Sequence, residues 1–375
     1  MQPESLLSYY PTYQILDEIV SYGNYKKVNI FIDLKNTLQT TYMEHAIVNI
    51  VGSSKKSRYL DTSIFSSVIS FLGFHKIYGM KRGLDINFII FFESGKSFYH
   101  INISKQYKIS RQIDDLYGLE REDRELFFNV LQANFKLIEK AGNKLPNVKV
   151  IRLPNLEADF VPYYLLSRKK LSCNNETCNI IYSNDHDLWQ CASTNTFIFS
   201  KSAKHKKIIK PGTVLTEFLK KENNIGDIYY PLAMAVIGDT GDDVTGVNKV
   251  GPARFIEIFE QLISLTGDMR EIYKKVLNNE SLFNTIPPSI SNKYLKKVVD
   301  AELNNKVVSN NLKLVSFELI SRALENPSKT EMLDKRKHIE NIINDNEIYP
   351  LESLKTALQK TGVFLTETTI DFLYI

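Results

Sequence analysis

The chain has 375 residues, 43% of them hydrophobic and 24% charged, which is enough for a large core and for two lobes. Its formal net charge is only +4, so the basic residues must cluster if the partner is a nucleic acid. Three cysteines without a CxxC pair exclude a disulfide framework and a zinc site, and no apolar run is long enough to span a membrane. We therefore expect a cytoplasmic protein with reduced thiols and no membrane partner.

Buried strands alternate with helices through the first half of the chain. Short apolar runs predict strands at 28–33, 86–92, 148–153, 179–182 and 196–199, and apolar residues at helical spacing predict helices at 62–78, 114–142 and 211–221. Glu157-Ala158-Asp159 would open a further helix. This alternation predicts an α/β fold with a mainly parallel sheet. A helix between Pro11 and Gly23 looks like an appended element, and the chain after Gln261 is helical and charged, with an amphipathic helix at 351–362.

Acidic residues follow four of the predicted strands. They are Asp33, Glu93, the pair Glu157 and Asp159, and the pair Asp185 and Asp187. In an open parallel sheet the carboxyl ends of the strands line one edge, so these side chains would converge there. Acids also commonly cap helices that follow strands, and this alternative applies to any one pair. Recurrence at four strand ends favours a shared site.

The stretch 238–252 adds more acids and four glycines between two apolar, helix-like segments. Its sequence from Gly246 to Gly251 predicts a tight hairpin between helices, whose free backbone N–H groups suit a phosphate. Asp239 and Asp242 lie three apart, so they would share one face of a helical turn. A polar helix-loop-helix connection with a capping Asp remains the alternative. Pro252 follows the hairpin where a P-loop has Lys, so a P-loop enzyme is not expected.

Eight carboxylates at one place would repel one another and destabilise the fold unless cations neutralise them. Ligands that are all oxygen favour Mg²⁺ or Mn²⁺ over zinc. Two such ions roughly 4 Å apart can clamp the attacking water and the leaving oxygen of a phosphodiester. The acids therefore predict hydrolysis of a nucleic-acid backbone. A lysine-rich run at 201–210 would contact that backbone or form a solvated surface loop.

These motifs, in this order, resemble the 5′ nuclease family, which includes flap endonucleases, the 5′-nuclease domains of bacterial DNA polymerases, and phage ribonuclease H and 5′-exonucleases. The similar segments are 31–36, 92–96, Tyr107-Lys108-Ile109-Ser110-Arg111, Glu157-Ala158-Asp159, 183–188 and 238–251. A looser similarity at 310–315 points to bacteriophage ribonuclease H. Glu93 stands where the family usually has Asp, and Phe160 replaces the second Asp of the usual Glu-Ala-Asp-Asp.

The resemblance implies a PIN-like sheet with a helical arch that a 5′ single strand threads. It divides the chain into an N-terminal extension (1–27), a nuclease domain (28–200, with the arch at about 100–142), a helix-hairpin-helix region that binds duplex (201–265) and a helical C-terminal region (266–375).

The resemblance also implies roles for individual residues. One Mg²⁺ would be held by Asp33, Glu93, Glu157 and Asp159, and a second by Asp185, Asp187, Asp239 and Asp242, with Mn²⁺ as a substitute and K⁺ at the hairpin. Lys108 would stabilise charge on the scissile phosphate, Tyr107 would stack on the terminal base, and Arg111 would grip a neighbouring phosphate. Contacts to duplex phosphates would come from Gly246, Val247, Lys249, Gly251, Arg254, Lys204, Lys206 and Lys207.

The leading hypothesis is a monomeric 5′→3′ exonuclease and flap endonuclease with ribonuclease H activity. It would remove RNA primers or 5′ flaps in phage DNA replication, acting in the host cytoplasm on branched or 5′-ended duplex DNA and RNA–DNA hybrids. An alternative, motivated by Glu93 and Phe160, is a catalytically weakened factor that binds flap DNA in the replisome. A PIN-type ribonuclease is a third hypothesis, although that group lacks the hairpin. A sliding clamp, bound through 369–373, and a single-strand-binding protein are candidate partners, but that segment could also be a packed or frayed tail.

Overall fold

A computed structural model describes residues 13–41, 63–109, 121–171, 173–201, 206–266, 273–274, 278, 292–345, 347 and 349–359. Its centre is a six-stranded sheet with helices on both faces. The strands are β1 (Lys27–Asp33), β2 (Asp85–Ser94), β3 (Val148–Pro154), β4 (Thr177–Tyr182), β5 (Thr196–Lys201) and β6 (Lys206–Ile209). A separate two-stranded hairpin consists of β7 (Gly238–Asp239) and β8 (Val244–Thr245).

The helices fall into an N-terminal and a C-terminal set. The N-terminal helices are α1 (Tyr13–Val20), α2 (Leu34–Thr41), α3 (Ser63–Arg82), α4 (Phe98–Ile103), α5 (Arg121–Gly142) and α6 (Val161–Ser167). They are followed by α7 (Val214–Leu219), α8 (Tyr230–Ile237), α9 (Pro252–Thr266), α10 (Lys293–Asn305), α11 (Val307–Val315), α12 (Phe317–Glu325), α13 (Thr330–Asn344) and α14 (Leu351–Gln359). None of these described helices has the length and apolar character that crossing a membrane requires.

The order of strands in the sheet is β3-β2-β1-β4-β5-β6. All neighbours pair in parallel except β5 and β6, which are antiparallel. This confirms the predicted α/β class with a mainly parallel sheet. The chain turns from one side of β1 to the other between β3 and β4, so a crevice opens at the carboxyl ends of these strands.

Alternate residues of each central strand face opposite sides of the sheet, as the two-residue period of a strand requires. Ile30 packs with α3 and α5, whereas Phe31 packs with the helices of the C-terminal half. The N-terminal helix α1 is part of this core, because Leu16 and Ile19 are buried in it. The expectation of an appended element at 1–27 is therefore wrong for α1.

Several local predictions need correction. The helix after β3 starts at Val161 with a proline in its first turn, so Glu157 and Asp159 lie in the loop before it. Helix α7 is shorter than predicted because Gly212, with φ of +82°, forms a turn before it and Lys220 ends it in a left-handed conformation. Helices α2 and α4, strand β6 and the β7–β8 hairpin were not predicted, since each is too short to show a period.

A row of polar side chains, buried except for the half-buried Asn87, crosses the sheet near its amino end. Asn87 Nδ2 donates to Asn29 Oδ1 (3.4 Å), Asn29 Nδ2 donates to Asn179 Oδ1 (2.9 Å), and Asn179 Nδ2 donates to Thr196 Oγ1 (3.3 Å). These residues stand directly opposite one another on four adjacent strands. A slip of one residue in any pairing would bury unpaired amides, so the row specifies the register.

We predict that Asn29→Ala lowers the free energy of unfolding by roughly 1–3 kcal/mol, because it leaves the buried Asn179 amide oxygen with only the weak Cys173 thiol as a donor. Urea unfolding followed by circular dichroism measures the change. Asn87→Ala is the matched control: it keeps the shorter Asn29–Asn179 bond and should cost less. Equal losses in the two variants would contradict the register role of Asn29.

Candidate metal and nucleic-acid site

Six of the predicted acids lie at the carboxyl edge of the sheet. Asp33 ends β1 and is 4% exposed. Its Oδ1 accepts from the Asn36 backbone N–H at 3.0 Å and its Oδ2 accepts from Ser183 Oγ at 2.8 Å. Glu93 lies near the end of β2 and pairs with Lys35 Nζ at 2.6 Å. Asn36, Ser183 and Lys35 were not predicted as site residues, although they immediately follow β1 and β4.

Asp185 and Asp187 follow β4 in a tight turn. Asp185 Oδ1 accepts from the Asp187 backbone N–H at 2.9 Å, and this bond starts a 3₁₀ turn at Asp187–Cys191. Asp187 is 8% exposed, and its buried Oδ1 has no hydrogen-bond partner among the described residues. A buried carboxylate oxygen without a donor is costly, so this atom suits a cation as its partner. His186 is exposed and its ring packs on the buried Trp189, as expected for structural residues.

Asp239 and Asp242 come from the β7–β8 hairpin after α8, and not from a regular helical face. Asp239 Oδ1 accepts from the Gly241 N–H at 2.8 Å and caps the 3₁₀ turn Thr240–Asp242, where Asp242 is buried. Two glycines allow this geometry. Gly238 has φ of +90°, and a Cβ on Gly246 would lie 2.0 Å from the Ile237 carbonyl oxygen. The hairpin can therefore lie directly on the end of α8.

Tyr107 and Lys108 join the hairpin to the sheet edge. Lys108 Nζ lies 2.6 Å from Glu157 Oε1 and 3.2 Å from Asp242 Oδ2. The Tyr107 hydroxyl lies 3.0 Å from both Glu157 Oε2 and Asp242 Oδ2, and it can donate to one of them at a time. Lys108 adopts a left-handed conformation (φ +53°), and its N–H donates to the Asp242 carbonyl at 3.1 Å. Arg111 lies outside the described residues.

The acids raise one another's pKa. Burial, together with the charges of Asp185 and Glu93, raises the pKa of Asp33 to about 7. Burial and neighbouring carboxylates also raise the pKa of Asp185, and hold the pKa values of Asp159 and Asp187 well above their ordinary range. The charge of Asp185 raises the pKa values of Asp33 and Asp159, which belong to one predicted metal group, and of Asp187, which belongs to the other.

Lysine partly compensates this charge. Burial opposes ionisation of Glu157, but His100, the Lys108 ammonium and the bonds from Lys108 and Tyr107 bring its pKa below its ordinary value. Burial would lower the pKa of Lys108, yet Glu157, Asp242 and Asp159 raise it well above its ordinary value. Lys108 is therefore a cation in this conformation.

The donor set suits a hard divalent cation. Every side chain that converges here from the predicted set offers carboxylate oxygen, the ligand that Mg²⁺ and Mn²⁺ prefer, and Asp187 Oδ1 lacks a partner among the described residues. Within the described ranges, however, no three acidic, histidine or cysteine side chains are placed to hold one ion in this conformation. Glu157 and Asp242 instead share Lys108, and Glu93 pairs with Lys35. To bind a metal ion, Glu93, Glu157 and Asp242 would have to give up their ion pairs with lysine.

His100 supports Tyr107 and was not predicted. Its ring stacks on Tyr107 with centroids 4.6 Å apart and 14° between the planes. Ser97 Oγ donates to Nδ1 at 2.7 Å, and Nε2 donates to the Leu314 carbonyl at 3.1 Å. Burial and the Lys108 charge lower the pKa of His100, although Glu157 opposes the shift, and the two hydrogen bonds fix the ring beside Tyr107.

Two amide side chains fasten the acidic loops to the C-terminal helices. Asn311 Nδ2, from α11, donates to the carbonyls of Ala235 and Thr245, both at 2.8 Å, on either side of the Asp239–Asp242 turn. Gln190 Nε2 donates to the Asp187 carbonyl (3.1 Å) and to the Val315 carbonyl (2.8 Å). The sequence contains no signal for either contact, because partners such as Asn311 and Thr245 are far apart in the chain.

The comparisons with known proteins agree with this architecture. No family model matches the chain. A 5′-3′ exonuclease of Aquifex aeolicus (strain VF5) is 30% identical over 130 residues, which are 34% of this chain and only 40% of that protein. The bacteriophage T5 5′-exonuclease with bound zinc ions superimposes with a TM-score of 0.54 at 18% identity, over 84% of this chain and 100% of that chain. The T5 flap endonuclease in a complex with DNA and metal ions gives 0.52 at 17% identity, over 90% and 100%.

The chain has the fold of the 5′ nucleases. The resemblance recognised in the sequence is thus confirmed for the fold, including the PIN-like sheet. In this 5′-nuclease fold Tyr107 and Lys108 follow α4. Both side chains contact Glu157 at the sheet edge and Asp242 in the β7–β8 hairpin, so they connect the two groups of acids.

Some of the residues predicted to contact nucleic acid are accessible at the surface, and others are not. Lys249 is exposed, and a Cβ on Gly251 would meet nothing within 4 Å, so the start of α9 is open. Val247 is a structural residue: its side chain is buried and its N–H donates to the Val236 carbonyl at 2.8 Å. Its predicted role as a phosphate contact is therefore wrong.

The remaining predicted contacts have other neighbours. Arg254 pairs with Glu257 at 2.5 Å, and Lys207 pairs with Glu217. Lys206 begins β6, and Lys204 lies outside the described residues.

We predict that Asn311→Leu loosens the Asp239–Asp242 turn, because it removes the donor to the buried Ala235 carbonyl and to the part-buried Thr245 carbonyl. The free energy of unfolding should fall by roughly 1–3 kcal/mol, and amide hydrogen exchange should accelerate in residues 238–246 more than elsewhere. Asn310→Leu, at the exposed neighbouring position, is the control. Uniform acceleration across the chain would contradict a local role.

We also predict that stability without divalent ions falls as pH rises from about 4 to 7. Asp33 has a pKa of about 7 in the folded chain against 3.8 ordinarily, so between these values the folded state keeps a proton that the unfolded state has released. The unfolding free energy therefore decreases with pH across that window. Urea titrations in EDTA at several pH values measure the slope. Asp33→Asn should flatten it, whereas the exposed Asp334→Asn should leave it unchanged.

Proposed function

We propose that the chain is a divalent-metal-dependent 5′ nuclease that hydrolyses phosphodiesters near the 5′ ends of branched or duplex nucleic acid. One observation carries this proposal. Tyr107 and Lys108 each contact two carboxylates, Glu157 from the sheet edge and Asp242 from the β7–β8 hairpin. Carboxylates from opposite sides of the site thereby surround one cationic position. The 5′-nuclease fold supports the same activity.

The proposed metal ligands are the eight acids of the site, with Asp33, Glu93, Glu157 and Asp159 for one ion and Asp185, Asp187, Asp239 and Asp242 for the other. Burial and mutual repulsion raise the pKa values of Asp33, Asp159, Asp185 and Asp187, which supports binding of a cation among them. Bound divalent ions, two by our proposal, would lower the pKa of water and stabilise charge on the leaving oxygen. The T5 5′-exonuclease was crystallised with zinc and the T5 flap endonuclease with DNA and metal ions, which supports the use of metal by this fold.

Lys108 and Tyr107 would act on the phosphate. The Lys108 ammonium now neutralises Glu157 and Asp242, so a metal that takes over these carboxylates would free the ammonium for a phosphate oxygen. His100 holds the Tyr107 ring from behind. Tyr107 would then position a terminal base or phosphate beside the acids.

The open N-terminal end of α9 supports duplex binding next to the site, because backbone N–H groups there can bind a phosphate. We propose that the substrates are 5′ flaps and RNA-primed duplexes, and that the cellular role is removal of primers or flaps during bacteriophage DNA replication. The similarity of the fold to T5 enzymes supports this role.

A flap-binding factor with weakened catalysis is the second candidate. Glu93 stands where the family usually has Asp, and it is paired with Lys35 at 2.6 Å. No trio of ligating side chains is preformed in the described part of the chain. A protein of this kind would bind branched DNA without cutting it.

The test follows 5′-labelled flap and RNA-primed duplex substrates in Mg²⁺, in Mn²⁺ and in EDTA. We expect metal-dependent release of short 5′ products, and a loss of roughly 100-fold or more in kcat for Asp187→Asn, because a ligand in such a site contributes several kcal/mol to the transition state.

Asp334→Asn removes the same charge from an exposed position on α13 and should cleave like wild type. Cleavage in EDTA, or full activity in Asp187→Asn, would overturn the proposal. Tight flap binding with no cleavage in either metal would establish the binding factor in its place.

A further inference from the structure

A basic surface on α10 adjoins the helix-hairpin-helix element. Two cations lie close to the Tyr294 ring: the Arg254 guanidinium carbon is 4.5 Å from its centroid, and Lys293 Nζ is 5.1 Å from it. Arg254 belongs to the first turn of α9, directly after the hairpin, and Lys293 begins α10. One aromatic ring thus joins α9 to α10.

Three lysines continue this surface along α10. Lys293, Lys296 and Lys297 are spaced three and four residues apart, so they share one helical face. Lys293 and Lys296 are exposed, and Lys297 is half-buried. The face rises about 6 Å from Lys293 to Lys297. We call Arg254, Lys293, Tyr294, Lys296 and Lys297 the Tyr294 surface.

The charge on the Tyr294 surface is unbalanced. Among the described residues of α9 and α10, the acids beside it are Glu257, which pairs with Arg254 at 2.5 Å, and the exposed Asp300 one turn along α10. Four cations therefore face two carboxylates in a chain whose net charge is only +4. Like charges gathered on one ring repel one another, and an anion placed across them would relieve this repulsion.

The geometry favours a duplex backbone over a single strand. Binding of single strands combines basic residues with aromatic rings on which bases stack. Here Tyr294 is flanked by Arg254 and Lys293, so its ring is engaged by cations. Lysines act as flexible point charges that suit phosphates and read no base.

We propose that the Tyr294 surface binds the phosphate backbone of the substrate duplex and extends its footprint beyond the hairpin. The inference rests on the proposed function for the identity of the substrate. In this proposal Lys249 and the start of α9 bind the nearer part of the DNA duplex. Helix α10 binds a part of the same duplex that lies farther along the DNA axis.

The test measures binding of 5′-flap DNA with duplexes of 6 to about 24 base pairs, in EDTA so that cleavage cannot interfere. The variant is Lys293→Gln/Lys296→Gln/Lys297→Gln. For long duplexes we expect about tenfold weaker binding and a salt dependence of log K that is shallower by roughly 2 to 3, which corresponds to three phosphate contacts. For the shortest duplex we expect wild-type affinity, because that duplex reaches only Lys249 and the start of α9.

The matched control is Lys26→Gln/Lys81→Gln/Lys337→Gln, which removes the same charge from exposed positions before β1, at the end of α3 and on α13, outside the predicted arch and hairpin regions. It should bind every length like wild type, and Lys→Arg changes at 293, 296 and 297 should restore long-duplex binding. An unchanged salt slope, or an equal loss at every length, would overturn the inference. Failure of the nuclease proposal would show separately, as a wild-type chain that binds the series but does not cleave in Mg²⁺ or Mn²⁺.

Discussion

The structure depends on how it compensates the negative charge buried at one edge of its sheet. Burial and mutual repulsion raise the pKa of Asp33 to about 7, and those of Asp159 and Asp187 well above their ordinary range. Lys108 is the cation that bridges the two halves of the cluster, from Glu157 to Asp242. A fold with this arrangement gains stability from any divalent ion that it binds, so its stability and its proposed chemistry draw on the same residues.

The C-terminal helices are the frame of this site. His100 reaches the Leu314 carbonyl, Gln190 reaches the Val315 carbonyl and Asn311 reaches the carbonyls that flank the hairpin turn. Three segments that carry Tyr107, Asp187 and Asp242 therefore depend on α11. Each contact is a hydrogen bond from a side chain to a backbone carbonyl, so it fixes the position of a loop without adding charge to the cluster.

Long periodic segments were predictable because their pattern reflects burial directly. The strands β1 and β2, which carry Asp33 and Glu93, are mostly apolar runs that Asn29 and Asn87 interrupt, as expected for strands covered on both faces. Short segments were not predictable. Val247 looked like part of a phosphate-binding turn, but it packs inward because Gly246 lies against the end of α8. Helix α1 looked appended, but its buried side makes it part of the core.

The sequence by itself determined the alternation of strands and helices, the acids at the strand ends and the glycines of the hairpin, because each is written in local spacing. Only the tertiary structure decided which groups share a charge, such as Glu157 with Asp242 through Lys108, and which distant residues hold the loops, such as Asn311. The physical reason is distance along the chain. Charge interactions and hydrogen bonds to backbone carbonyls act between residues that are close in space but far apart in the sequence, so no local sequence pattern identifies them.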